Sequence, residues 1–196
     1  MVLYGASGHC KVVIDILEAL GLPIDFIVDD NGALTELLGY PVRRNTGTYD
    51  EALIAIGDCA VRRRIVESIC VARYPTAVHP SAVVSPRAVL GEGTVVMQGA
   101  IIQSSAAVGR HCIVNTGASV GHDAVLGDFV HVAPHATVTG GVSIGEGTWI
   151  GAGTTIRQGI RIGRRCMIGA GSVVVDDIPD GVVAFGNKCR IIKQIN

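Results

Sequence analysis

The sequence predicts two structural units in series: a small doubly wound α/β lobe, then a parallel β-solenoid. Three observations carry this. Every sixth residue from Val78 to Val174 is Val, Ile or Leu, seventeen positions with no slip of register. The residue four places after each is small or modest in size, as in Ala82, Ala88, Ala100, Ala106, Cys112 and Ala118. Ahead of the run, an apolar strand, a glycine-rich turn, an amphipathic stretch and a strand ending in two aspartates follow one another.

A helix would repeat at 3.6 residues and a half-buried strand would alternate strictly. A period of six with two inward positions instead requires short strands that each turn a corner. The large aliphatic fills the middle of a flat wall, and the small residue fits beside it near the corner. This run resembles the hexapeptide repeat of the left-handed parallel β-helix. In that fold three hexapeptides close one triangular coil, so residues eighteen apart lie one above another. The resemblance implies five to six coils, on the order of 27 Å of stack at ordinary strand spacing. With no insertion in the register, the prism should be straight.

In chain order, Val2-Leu3-Tyr4 reads as a strand, followed by Gly5-Ala6-Ser7-Gly8-His9. Val12, Val13, Ile16, Leu17 and Leu20 mark one face of a helix that Gly21 ends. Phe26–Val28 is a second strand, stopped by Asp29-Asp30, and Leu53–Ile56 a third, stopped by Gly57-Asp58. A helix is expected over Ala60–Val71, with Arg62-Arg63-Arg64 as a solvated face. This order is Rossmann-like, and such sheets bind ligands beyond the carboxyl ends of their strands. Ser7, Gly8 and His9, at a helix N-terminus, suit phosphate or sugar oxygens. Asp29 and Asp30 suit ribose or base donors, against the simpler reading of a solvated turn. Tyr74-Pro75 marks the boundary, giving domains 1–73 and 74–179 and a C-terminal tail 180–196.

Composition excludes several classes. A net charge of −1 leaves no basic footprint for nucleic acid. No run of eighteen apolar residues exists to span a membrane. The chain enters a structured motif at once, so no signal peptide is expected and a cytoplasmic location follows. The six cysteines show no C-x-x-C spacing and read as free thiols of a reducing compartment.

Among the six histidines, His79 and His111 read as ordinary surface or corner residues. His122-Asp123 pairs an imidazole with a carboxylate at a corner. One coil above lies Gly140, in Thr139-Gly140-Gly141, with backbone N–H groups to offer. That arrangement suits acyl transfer by a base under an oxyanion donor; a satisfied corner histidine is the plainer reading. His131 falls in the most apolar outward column: Val95, Ile113, His131, Trp149, Met167. An exposed apolar wall suggests a partner surface, and a contact closing at about 120° makes a ring. A homotrimer is therefore expected, with His131 and Trp149 at or near the subunit contact.

Gly5-Ala6-Ser7-Gly8-His9, Asp29-Asp30, Ile54-Ala55-Ile56-Gly57 and the hexapeptide run occur in one order, with Asn115–Asp123 and Gly127–Ala133 as local detail. Together they resemble the bacterial nucleotide-sugar acetyltransferases of the PglD and NeuD type over essentially the whole chain. The resemblance implies an acetyl-CoA-dependent N-acetyltransferase acting on a nucleotide-linked amino sugar, without a metal, in surface-glycan synthesis. It implies His122 as general base, Asp123 as the acidic residue that strengthens it, and Gly140 as oxyanion donor. His131 would contact acetyl-CoA near its thioester, and Ala152 and Ala170 would border the pantetheine arm. Ser7, Gly8, His9, Asp29, Asp30 and Asn115 would hold the nucleotide-sugar. Cys10 and Gly121 depart from the family pattern, in which Gly and an acidic residue are usual.

Other readings are O-acetylation of a sialic-acid-type sugar, a γ-carbonic-anhydrase-like metalloenzyme using His131 and His135, and a non-catalytic nucleotide-sugar-binding protein. The lobe has no place in the metalloenzyme reading, and His122-Asp123 argues against the last.

Overall fold

The computed structural model describes residues 1–195. The lobe comprises β1 (Val2–Tyr4), α1 (Gly8–Ala19), β2 (Phe26–Val28), β3 (Glu36–Leu37), β4 (Tyr40–Arg43), β5 (Thr48–Ile54), α2 (Cys59–Ser68) and β6 (Cys70–Arg73). Its sheet runs β3-β4-β2-β1-β5-β6, parallel except for the β3–β4 hairpin. The second helix is shorter than the sequence suggests. After Ser68 the chain turns to pair Cys70, Val71 and Arg73 in parallel with the free edge of β5, and edge pairing overrides helical pattern there.

From Ala77–Val78 to Val173–Val174 the described residues form seventeen two-residue strands in three parallel sheets. Partners differ by eighteen residues, as in Val95↔Ile113 and Ser119↔Thr137, so the prism is triangular in section with between five and six coils. We call the sheet holding Ala77, Val95, Ile113, His131, Trp149 and Met167 the first wall. The second holds Val83, Ile101, Ser119, Thr137, Thr155 and Val173, and the third Val89, Ala107, Val125, Ser143 and Arg161. The inward residues from Val96 to Val174 bury almost completely in one core. Where the small inward slot is polar, it is satisfied: Thr94, Thr148 and Thr154 donate their hydroxyls to the carbonyls of Gly109, Gly163 and Gly169. Cys112 and Cys166 occupy the same slots as free, buried thiols.

The lobe does not stand apart from the prism. Cys10, Val13, Ile16 and Leu17 on α1 share a core cluster with Ala77, Val95, Met97 and Ile113. This corrects the expectation that the first wall is exposed along its whole height, since its lower half is covered by the chain's own lobe. Arg62 locks the seam and is not part of a solvated face. It is 1% exposed and donates to the carbonyls of Ile56, Gly57, His111 and Phe129, each at 2.8 Å. His111, expected as an ordinary surface or corner residue, does lie at a corner, with φ 52°, but it is 2% exposed, stacked on Phe129 with Tyr74 edge-on to it. After the last coil, Val182–Phe185 extends the first wall and Arg190–Gln194 folds back against it. Among the described residues no helix is long and apolar enough to cross a membrane.

Candidate active site

From Gly93 to Gly171 each corner of the prism is a four-residue turn whose third residue takes the left-handed region, where glycine is easiest to place. At the corner between the second and third walls that residue is Asp123, with φ 59°. The turn exposes His122 and Asp123 and aligns them, with His122 Nδ1 donating to Asp123 Oδ2 at 2.7 Å. A carboxylate accepts only, so this bond places the ring proton on Nδ1 and leaves the Nε2 lone pair free. One coil above is Gly140. A Cβ built there would lie 2.5 Å from His122 Nε2, so the free nitrogen sits directly against this glycine. The Gly140 N–H finds no acceptor among the described residues. Gly121 also serves this contact: a Cβ on it would lie 2.6 Å from the Gly140 nitrogen. The departure from an acidic residue at 121 therefore keeps the two coils close. A base and an unused N–H donor thus share one edge.

The next corner, between the first and second walls, holds Asn115, with Ala152 and Ala170 exposed on higher coils of the same edge. Asn115 is not left-handed; Gly117 fills that role. One side of the triangle separates Asn115 from His122, so the structure does not bring these two together within one chain.

His131 lies on the first wall beneath the lobe, 3% exposed. Its Nδ1 donates to the Gly57 carbonyl at 3.0 Å and its Nε2 faces Asn115 Nδ2 at 3.0 Å. Trp149 packs on it at 4.0 Å between ring centroids. Both ring nitrogens are thus engaged inside the chain. The same engagement leaves His131 no lone pair for a metal. Among the described residues no group of three or more His, Cys, Asp or Glu could hold an ion. Burial pushes His131 down to about 3 and the neighbouring His9 down to about 4, so both rings are neutral at ordinary pH.

At the carboxyl end of the lobe sheet, Tyr4, Gly5, Asp29, Asp30, Asn45 and Arg64 help line a cavity of about 390 Å³. Asp29 uses its oxygens on the backbone: Ala6 N–H donates at 2.6 Å and Asn31 N–H at 2.7 Å. It therefore holds the glycine-rich turn in shape. Asp30 is exposed and accepts from the Tyr4 hydroxyl at 2.9 Å; with burial, that bond holds the Tyr4 phenol well above its usual range. Ser7 and Gly8 lie exposed at the start of α1, and Ser7 makes no side-chain cap. Cys10 points into the lobe core at 0% exposure. His9 faces the prism, its ring centroid 6.3 Å from that of His131. Sequence reasoning missed Arg62 and Gly57, whose backbone and side-chain contacts join residues far apart in the chain.

A Rossmann-like lobe seated on a hexapeptide prism, with an imidazole and an N–H donor at one prism edge, defines an acyltransferase of the hexapeptide class. Family models narrow this: the PglD N-terminal domain matches residues 1–69 and the bacterial transferase hexapeptide (six repeats) matches 141–176. A histidine-to-asparagine variant of perosamine N-acetyltransferase from Caulobacter crescentus, solved with CoA and GDP-perosamine, is 38% identical. It superposes with a TM-score of 0.91, covering 98% of this chain and 96% of that one. The acetyltransferase domain of PglB from Neisseria gonorrhoeae, in complex with acetyl coenzyme A, is 37% identical with a TM-score of 0.88, over 97% and 98% of the two chains. UDP-N-acetylbacillosamine N-acetyltransferase of Bacillus subtilis is 48% identical over 47 residues, 23% of this chain and 22% of that protein. The chain belongs to the PglD-type nucleotide-sugar N-acetyltransferases.

Proposed function

We propose that this protein transfers the acetyl group of acetyl-CoA to the amine of a nucleotide-linked amino sugar, directly and without an acyl-enzyme. The observation that carries the reading is the His122 ring, tied to Asp123 through Nδ1 and pressed by Nε2 against Gly140. The sugar nitrogen attacks the thioester carbonyl carbon, and His122 Nε2 takes the proton that the nitrogen sheds. Negative charge builds on the carbonyl oxygen, where the Gly140 N–H can donate. As that charge collapses the carbon–sulfur bond breaks, and the proton on Nε2 neutralises the departing thiolate. Positioning, a base and an oxyanion donor suffice for this step.

The nucleotide belongs over the lobe cavity, with Asp30 as acceptor for ribose or base and the Ser7–His9 turn toward the diphosphate. The coenzyme belongs along the prism edge, where Ala152 and Ala170 offer backbone groups and no bulk. Because His122 and Asn115 occupy different corners, a complete site draws its second edge from a neighbouring copy. Exposed Val83 and Ile101 on the second wall and Val89 and Val125 on the third suit the faces of a homotrimer, in place of the lobe-covered first wall.

In the deciding experiment, His122→Ala is assayed for thiol release with acetyl-CoA and a panel of UDP-, GDP-, dTDP- and CMP-linked amino sugars. Turnover should fall by about two to four orders of magnitude while assembly stays intact. Undiminished turnover ends the assignment.

A further inference from the structure

Above the lobe the first wall is open, and three distant parts of the chain enclose another cavity there. Its volume is about 540 Å³, within the range of about 300–1,000 Å³ usual for small-molecule sites. Helix α2 lines it through Cys59, Ala60, Arg63 and Arg64; the prism adds Trp149, Met167 and Arg165, and the tail adds Ile195. This cleft lies away from the edge proposed for the coenzyme. Gly147 and Arg165 belong to the corner between the third and first walls, whereas Ala152 and Ala170 lie at the other corner of the first wall.

The lining has an apolar half and a cationic half. Trp149 and Met167 sit in register on neighbouring coils, and Met167 is 49% exposed. His131 packs against Trp149 from the coil below and leaves the indole half-buried. A flat aromatic body gains most from such a surface. On the cationic half, Arg63 is engaged with Glu67 at 2.8 Å and Glu146 at 3.1 Å. Asp58 caps α2 by accepting from Val61 N–H at 2.8 Å. Arg64 and Arg165 are exposed and form no ion pair among the described residues. Arg165 also holds a left-handed backbone, φ 51°, where Gly147 stands one coil below. Lower on that corner His111 and Phe129 take the same conformation and stack in the seam; Arg165 instead stays open to solvent. Two guanidiniums beside an aromatic surface match a planar base that carries a phosphate chain.

We propose that this cleft binds a nucleoside phosphate at a site separate from the transfer centre. The base lies on Trp149 and Met167, and the phosphates lie between Arg64 and Arg165. Arg64 lines the lobe cavity as well, so the test turns on residues that line the cleft alone. The site stands without the acetyl-transfer reading, because binding is measured with no turnover.

Trp149 is the only tryptophan, so tryptophan emission reports on this cleft. Titration of the wild-type protein with UDP, GDP and ADP should give a saturable change for at least one, with Kd below about 1 mM. The matching nucleoside and inorganic pyrophosphate each carry half of the ligand and should bind at least about tenfold more weakly. Arg165→Gln and Met167→Asp, both at exposed positions, should weaken the nucleotide about ten- to a hundredfold. Asp30→Ala, in the lobe cavity, should leave the titration unchanged. No saturable change with any of the three refutes the site, and so does pyrophosphate that binds as tightly as the nucleotide. A change lost in Asp30→Ala but kept in Arg165→Gln is relayed from the lobe cavity and refutes it too. Protein that binds as expected yet transfers no acetyl group would refute the functional reading and leave the cleft standing.

Discussion

At the scale of single residues, chemistry at the His122 corner depends on the absence of a side chain one coil above. A Cβ on Gly140 would meet three ring atoms of His122, the nearest at 2.5 Å. The His122 side chain is exposed and can swing aside, so Gly140→Ala should fold normally yet lose activity. The expected fall in kcat is at least about tenfold, with the melting temperature little changed; a fully active variant would show that the imidazole works from elsewhere. Much of this corner was legible in sequence. Adding eighteen to His122 gives Gly140, because the period is fixed and coils stack in register. His131 was placed on the correct wall by the same arithmetic, but not its neighbours, which lie in the lobe at Gly57 and His9.

Secondary-structure elements meet at a seam stitched by α2. Arg62 is a buried guanidinium that forms no ion pair with a carboxylate among the described residues and is paired instead with four carbonyls. Arg62→Met would keep much of the stem's packing and leave those carbonyls without their donor. A loss of about 3 kcal/mol or more in unfolding free energy is expected, read from urea denaturation; a change below about 0.5 kcal/mol would mean that water takes over the carbonyls. Nothing local in Arg62-Arg63-Arg64 distinguishes the first arginine from its neighbours. The helix turns Arg62 toward the prism and leaves Arg64 exposed, and the sequence pattern alone did not show which face would be covered. The β3–β4 hairpin escaped notice for a related reason: strands this short carry too few residues to show a period.

For the whole molecule, acid should act first on the seam. Burial pushes His9 and His111 down to about 4 and His131 to about 3, against about 6.5 in an unfolded chain. The unfolded chain then binds more protons, so the histidine contribution is complete above pH 6.5 and is lost as pH falls toward 4 and 3. Each ring contributes up to about 1.4 kcal/mol per pH unit in that window. His111→Phe, which preserves the stack on Phe129, should flatten the slope of stability against pH by nearly one proton, as measured by denaturation at several pH values. An unchanged slope would mean that His111 titrates normally. Assembly is tested by mixing subunits. If the site joins His122 of one copy to Asn115 of the next, His122→Ala and Asn115→Ala proteins, each impaired alone, should regain activity after joint refolding. Mixed trimers that stay dead, or a stable active monomer, would place both residues' functions within one chain.

By itself the sequence determined the prism, its register, the vertical neighbours of every corner residue and, in the lobe, the strands β1, β2 and β5 with the helix α1 between the first two. Each of these follows from a local period or a short motif that burial repeats along the chain. Tertiary structure alone decided which wall is covered and by what. An outward Val95, Ile113 or His131 has the same pattern whether a second copy or the chain's own lobe lies on it. The choice was made by the packing of α1 and by Arg62 reaching carbonyls 49 and 67 residues away, and long-range contacts of that kind leave no period to read.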